Sequence, residues 1–367
     1  MEILHIIPTI DKKYGGPVHS LESFVEVNER LGMDAEILTT NSENPYQYGD
    51  TPINSFKKSF PVRLSRSKDA NKWLRNNHGK FDFAVFHGVW SYFHFDLAKI
   101  CRSTGLKYAV RPHSNLDPKD LQKKKYLKKI AGPLYVKKYL QGADKLICTA
   151  KPEEDRLVTY GANVDTVIAP LPIKPISNTD SSKENTSKIR FLFLSRIDYK
   201  KGLDLFIKAL GQLNKNEIGM VELKIAGDGT DKYKKHIKTI ISDLNLEEKI
   251  KFLGFVTGEQ KEKAFRDSDV FILTSYFENF GYAVVEALER GLPVLISKEV
   301  DIWKDIKKYN AGWFCEYEVG SITQTLKEII EGEDFIVRKK NANKAASQFH
   351  IENVVEKHQK IYSDIAI

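Results

Sequence analysis

The chain has 367 residues, 41% of them hydrophobic and 29% charged, with a formal net charge of +8. That length exceeds one ordinary core and suits two domains of typical size. Three widely spaced cysteines, Cys101, Cys148 and Cys315, argue against a disulfide framework or zinc cluster and fit a reducing cytosol, and no HExxH spacing occurs among the nine histidines.

The opening "MEILHIIPTI" is apolar but carries Glu2 and no basic flank, so it reads as a buried strand rather than a signal peptide. No run reaches the roughly 18 apolar residues of a membrane span. From there, β-rich runs alternate with helix-period segments. "EILHIIPT" predicts a strand, "PVHSLESFVEVNERLG" a helix and "DAEILTT" a strand. The rhythm repeats in "FDFAVFHGV", "FHFDLAKICRSTG" and "KYAVRPH", then in "KLICTA", "KPEEDRLVTYG" and "DTVIAP". Strand, helix, strand with short links builds parallel sheets covered on both faces.

Within this half lies "PKDLQKKKYLKKIAGPLYVKKYLQGADK", residues 118–145, with nine Lys and two Asp. It concentrates an excess of 26 Lys and Arg over 19 Asp and Glu in residues 1–170. Nucleic acid, anionic lipid and a phosphorylated acceptor are the candidate partners for such a stretch. The lysines alternate with Leu121, Tyr126, Leu127, Ile130, Leu134, Tyr135 and Tyr139, as in helices that lie in a membrane interface. A solvated helix face is the plainer reading.

"IKPISNTDSSKENTSK", residues 173–188, is polar, lacks aromatics and reads as a linker. The alternation then restarts through "IRFLFLS", "LDLFIKALGQL", "VELKIAG", "KYKKHIKTIISDLN", "IKFLGFV", "GEQKEKAFRDS", "DVFILTS", "GYAVVEALERG" and "LPVLIS". The expected organisation is a domain over 1–172, the linker, and a domain over 189–346. A last amphipathic helix, about 347–367, has no strand after it and could pack on either domain, including back on the first. The fold class is α/β, with two Rossmann-like doubly wound parallel sheets.

Ligands bind outside the carboxyl ends of strands in such sheets. Two exits in the second half are informative. "FLFLSRIDYKKGLDLFIKAL" places Arg196, Lys200 and Lys201 where a strand ends and Gly202 opens a helix, a converging set of cations and backbone N–H groups suited to a diphosphate. A solvated basic turn is the competing reading. "DVFILTSYFENFGYAVVEALERG" runs from a buried strand through a loop into a helix beginning at Phe280 and Gly281. Amides near 279–282 have no helical partner, and Gly281 permits close approach of a phosphate. Glu278 sits just outside that helix, and Glu286 lies roughly 7–8 Å beyond Gly281 by helical rise. Each could accept hydroxyl groups on either side of the phosphates, a sugar on one and a ribose on the other. Helix-face and capping glutamates are the bland alternative.

These stretches carry a resemblance to the retaining glycosyltransferases of family 4, which have the GT-B fold, two such domains facing a central cleft. The matching elements are "ENFGYAVVE" with "ALERGLPVLIS", the basic "SRIDYKKG" and the glycine loop "DKKYGGPVHSLESF". The middle of the N-terminal half, "FHGVWSYFHFDLAK" through "ADKLICTAKPEEDRL", resembles the branch that builds bacterial surface polysaccharides. The resemblance implies that Arg196 and Lys201 hold the diphosphate in place of a metal ion. It implies that Glu278 and the amides of Asn279, Phe280 and Gly281 meet the donor, and that Glu286 binds the ribose. Gly254, Phe255 and Val256 would border the base, Gly15 and Gly16 would approach the diphosphate, and His113 would lie near the transferred sugar. No cofactor is implied. The implied reaction moves a sugar, with retention, from a nucleotide-diphosphate sugar (UDP first, GDP next) to a glycan or lipid-linked acceptor for exopolysaccharide, capsule or lipopolysaccharide. The implied place is the cytoplasm, at the inner face of the membrane.

The chain departs from the family pattern at "APLPI", residues 169–173, at Ser195-Arg196 and at His113-Ser114. No departure removes a charged group expected at the donor; the first bears on hinge or acceptor contacts. Other readings fit less well. A nicotinamide dehydrogenase wants G-x-G-x-x-G after a strand, and "AGDGTDKYKK" has Lys232 at the third glycine. No nucleic-acid-binding motif accompanies the lysines. A nucleotide-sugar epimerase of the same fold and a non-catalytic nucleotide-sugar-binding module remain as alternatives.

Overall fold

The computed structural model describes residues 1–14, 16–176, 188–332 and 334–366. Gly15 and residues 177–187 of the expected linker therefore lie outside the described residues. The chain divides into two compact units, Met1–Ile173 with Phe349–Ile367, and Lys174–Gln348.

In the first unit, β1 (Glu2–Ile6), β2 (Asp34–Thr40), β3 (Ile53–Phe56), β4 (Phe83–His87), β5 (Lys107–Arg111), β6 (Lys145–Cys148) and β7 (Thr166–Ile168) form one sheet. Its order is β3-β2-β1-β4-β5-β6-β7, and every pairing is parallel. The strands are apolar on both sides because helices cover both faces: β4 is buried at all five positions. One face meets the helices Lys68–Asn77 and Tyr92–Thr104 through Leu74, Phe93, Leu97 and Cys101. On the other face, Ile3, Phe83, Val85 and Ala109 meet the final helix, Ile351–Ala366, which presents Ile351, Ile361, Tyr362 and Ile365. Burying each such aliphatic or aromatic side chain stabilises the unit by roughly 1.5–3 kcal/mol. The backbone ties this helix down too, since Ile173 N–H donates to Phe349 O (2.9 Å) and Ile351 N–H to Ile173 O (3.0 Å).

A buried guanidinium links the same helix to β5. Arg111, 1% exposed, donates from Nη2 to His358 Nε2 (2.9 Å) and from Nη1 to Ala169 O (3.3 Å), and it stacks 3.9 Å from the Phe24 ring centre. Burial lowers its pKa.

In the second unit, β8 (Ile189–Leu194), β9 (Val221–Ala226), β10 (Ile250–Gly254), β11 (Val270–Leu273), β12 (Val294–Ser297) and β13 (Gly312–Cys315) form a parallel sheet of order β10-β9-β8-β11-β12-β13. Strand order reverses between β8 and β11 here, and between β1 and β4 in the first unit. Those reversals are the switch points at which loops diverge and leave a crevice.

Candidate functional site

At the switch point of the second unit, three glycines bring three exit loops together. Gly227 (φ +141°) and Gly229 follow β9, and a Cβ on either would collide with the carbonyl oxygens of Ser195 and Ile197 after β8. Ile197 N–H donates to Asp228 O (2.8 Å) across this contact. Gly202 (φ +65°) lies against the Thr274 carbonyl after β11, and Thr274 Oγ1 donates to Gly202 O (2.9 Å). The backbone of Ser195–Gly202 is thus clamped on both sides by residues lacking a side chain. We expect Gly202→Ala to cost roughly 2–4 kcal/mol, combining left-handed strain with overpacking. Urea unfolding measures it, and an unchanged midpoint would show that the clamp yields freely.

The clamped loop displays cations. Arg196 is exposed and makes no hydrogen bond or ion pair among the described residues. Lys200 lies 4.2 Å from the Phe277 ring centre. Lys201, in the single turn Tyr199–Lys201 capped by Asp198, is ion-paired with Glu278.

Glu278 is fixed by its backbone: its N–H donates to Glu299 O (3.0 Å), and Asp301 N–H donates to its carbonyl (2.9 Å). The helix after it begins at Tyr282, later than the sequence suggests. Gly281 is its N-cap, with φ +71°, and Phe280 beside it is buried. A left-handed N-cap of this kind favours glycine.

Neither glutamate stands alone. Glu278 uses Oε2 for Lys201, and Glu286 uses Oε1 for Lys261 Nζ at 2.5 Å. Both pairs are only partly exposed. Each lysine orients a carboxylate and cancels its charge, leaving the other oxygen without a hydrogen-bond partner among the described residues. With both carboxylates paired, Arg196 and Lys200 leave the local charge positive. Lys261, on the helix Gly258–Arg266 that follows β10, carries no motif that would single it out. Val256 and the exposed Phe255 occupy the β10 exit just before that helix.

In the first unit, Gly16 opens the helix Gly16–Arg30, and a Cβ there would meet nothing within 4 Å. Packing within the unit therefore does not require glycine at 16. His113 lies two residues beyond β5, in the left-handed region (φ +51°) together with Ser114 (φ +55°). The buried Glu153 holds that turn, accepting from Ser114 N–H (2.6 Å) and Thr149 N–H (2.7 Å). The His113 ring stacks on His87, centres 5.4 Å apart. At the switch point of this sheet, a cleft of about 270 Å³ is lined by Thr9 and Tyr14 after β1, Trp90 and Tyr92 after β4, and Lys58 and Tyr135.

The 118–145 stretch is broken rather than one helix: short helices at Pro118–Leu121, Lys125–Ala131 and Lys137–Gln141 flank a π-turn at Gly132–Val136. Lys124 at φ +49° interrupts it. Leu121 and Tyr135 pack against the core and Tyr139 is buried, whereas Tyr126, Leu127, Ile130 and Leu134 are 64–82% exposed. Among the described residues no helix is long and apolar enough to cross a membrane.

Residues 177–348 match the family described as Glycosyl transferases group 1, and residues 14–175 the family described as Glycosyltransferase Family 4. The alpha-monoglucosyldiacylglycerol synthase of Streptococcus pneumoniae is 24% identical over 243 residues, 60% of this chain and 54% of that protein. The chain spans about half the length, or less, of the curated relatives it matches first. Among solved structures, sucrose-phosphate synthase from Thermosynechococcus elongatus has a TM-score of 0.83 at 16% identity, covering 99% of this chain and 98% of that one. HepE of Anabaena, solved in complex with UDP, has a TM-score of 0.78 at 18% identity, covering 99% and 100%. At such identities the likeness is one of fold, two parallel-sheet α/β domains of the GT-B type.

Proposed function

We propose, from the premise that this chain belongs to the GT-B glycosyltransferases, that it transfers a sugar with retention from a nucleotide-diphosphate sugar to a glycan or lipid-linked acceptor. The carrying observation is Arg196: an exposed, uncommitted guanidinium held by clamped backbone at a switch point, beside the Lys201–Glu278 pair and the bare backbone at Gly281. The acceptor oxygen bonds to the anomeric carbon as the bond to the β-phosphate oxygen breaks, and the proton passes to that departing oxygen. The demand falls on leaving-group stabilisation and positioning, which Arg196, Lys201 and the amides of Asn279–Gly281 are suited to meet without a metal. UDP is the first candidate nucleotide, supported by its presence in HepE; GDP is the next.

The acceptor reading draws on the first unit. Aromatic faces at Trp90, Tyr92 and Tyr135 suit sugar rings, and the exposed apolar residues beside Lys123, Lys125 and Lys129 suit an anionic bilayer in bacterial surface-polysaccharide synthesis. Three buried free thiols fit a cytoplasmic location at the inner face of the membrane. We expect the protein to sediment with anionic vesicles at low salt and to be released by about 0.5 M salt, where screening shortens charge attraction. Equal partitioning to neutral vesicles would refute membrane docking.

The donor site is tested by calorimetric titration with UDP, GDP, ADP and CMP in EDTA, with Arg196→Ala as control. Binding of one diphosphate, lost in the variant, is the expected result. Binding of none would refute the donor site.

A further inference from the structure

A row of imidazoles crosses three adjacent strands of the first unit. Asn28, buried on the helix Gly16–Arg30, places Nδ2 2.8 Å from His5 Nε2. His5 Nδ1 on β1 lies 3.0 Å from His87 Nε2 at the end of β4. His87 Nδ1 lies 3.2 Å from His113 Nε2 beyond β5. The row has a direction. An amide nitrogen only donates, so His5 Nε2 accepts, and a neutral imidazole that accepts at one nitrogen carries its proton on the other. His5 therefore donates from Nδ1 to His87, and His87 from Nδ1 to His113 Nε2. The His113 proton is left on Nδ1, which has no hydrogen-bond partner among the described residues. Burial and the charge of Arg111 press all three rings toward the neutral form, the condition for a defined tautomer.

We propose that Asn28 is a positioning residue that acts through His5 and His87 to set the tautomer of His113, so that His113 offers an Nδ1–H donor to the sugar being transferred. The last step rests on the glycosyl-transfer reading; the row itself does not. A donor there would bind a sugar hydroxyl or ring oxygen through a lone pair, and the reversed tautomer would offer a lone pair instead. Asn28 decides between them because its two ends differ only in donor and acceptor. With Oδ1 toward His5, every proton in the row would move to the opposite nitrogen.

The test is a long-range ¹H–¹⁵N correlation of the imidazoles in the full-length protein at pH 7.5, with His113 assigned from His113→Gln. The expected spectrum has His5, His87 and His113 protonated on Nδ1; a His113 proton on Nε2 overturns the proposal. In Asn28→Leu the row loses its donor, so the His113 signals should move toward an average of both tautomers. Turnover of the donor selected by titration should fall roughly 10- to 100-fold, the size found when the partner that fixes the tautomer of a metal-bound histidine is removed, with donor KM within about twofold. A pure Nδ1–H signature persisting in folded Asn28→Leu also overturns it, and if that variant does not fold, the wild-type spectrum still decides. Absence of nucleotide binding would sink the glycosyl-transfer reading and leave the row intact. A reversed row would sink the tautomer proposal and leave nucleotide binding intact.

Discussion

Arg196→Ala is expected to lower the rate of nucleoside diphosphate release from the donor by about 10²–10³-fold, the usual loss when one preorganised stabiliser of developing charge is removed. Stability should stay within about 0.5 kcal/mol of the parent, because an exposed side chain with no hydrogen bond or ion pair among the described residues takes no packing with it. That combination separates Arg196 from its neighbours. Removing Lys201 strips Glu278 of its counter-charge and leaves a carboxylate facing the phosphates, so a loss there mixes two causes. Arg196→Lys is the informative companion. It keeps the charge and loses the planar fork that grips two phosphate oxygens at once, so it should recover only part of the rate. Single-turnover kinetics with urea unfolding on the same samples decides the matter. Full activity in Arg196→Ala would move the diphosphate away from the β8 exit. Lost activity with a lowered unfolding midpoint would reassign Arg196 to structure.

The sheets were legible in the sequence because parallel strands buried on both faces are continuous apolar runs, and "FAVFH" or "VFIL" can be little else between helical stretches. What escaped notice lacked that signature. β3, "INSF", is an edge strand with no fully buried position, and the helix Lys68–Asn77 buries only Ala70 and Leu74. The Arg196 loop was found by its charge and position. Its rigidity was not, because Gly227 and Gly229 look like ordinary turn glycines until Ser195 and Ile197 are seen against them. The pairing of Glu286 with Lys261, 25 residues away, and the Asn28–His5–His87–His113 row are likewise contacts between distant segments. Charge type at a strand exit is a local property, whereas partnership and tautomer are set by the fold.

Acid should unfold the first unit before the second. His5, His87, His94 and His358 are each no more than 2% exposed. Burial pushes His5, His94 and His358 down to about 3 from 6.5, and His87 well below its ordinary value. Arg111 adds its charge against His5, His87 and His358, His113 faces His87 and His94, and the rings of Phe86 and Tyr139 enclose His94. Between pH 6.5 and about 3 the unfolded chain binds protons that the folded unit refuses, so stability rises with pH across this window and is lost as pH falls through it. Each histidine contributes roughly 1.4 kcal/mol per pH unit below 6.5, an upper bound of roughly 5–6 kcal/mol per unit for the four, comparable with the whole stability of many domains. The second unit carries only His236, which is exposed. Hydrogen exchange at pH 7.5 and 5.5 should therefore show protection collapsing in β1, β4 and β5 while β8 and β11 hold. His94→Phe is the discriminating variant: neither ring nitrogen of His94 has a hydrogen-bond partner among the described residues, and its stacking on Tyr139 suits a phenyl ring. It should regain roughly 1 kcal/mol at pH 5.5 relative to pH 7.5. Equal loss of protection in both units, or a first unit indifferent to pH over this range, would show that the buried imidazoles take up protons without strain.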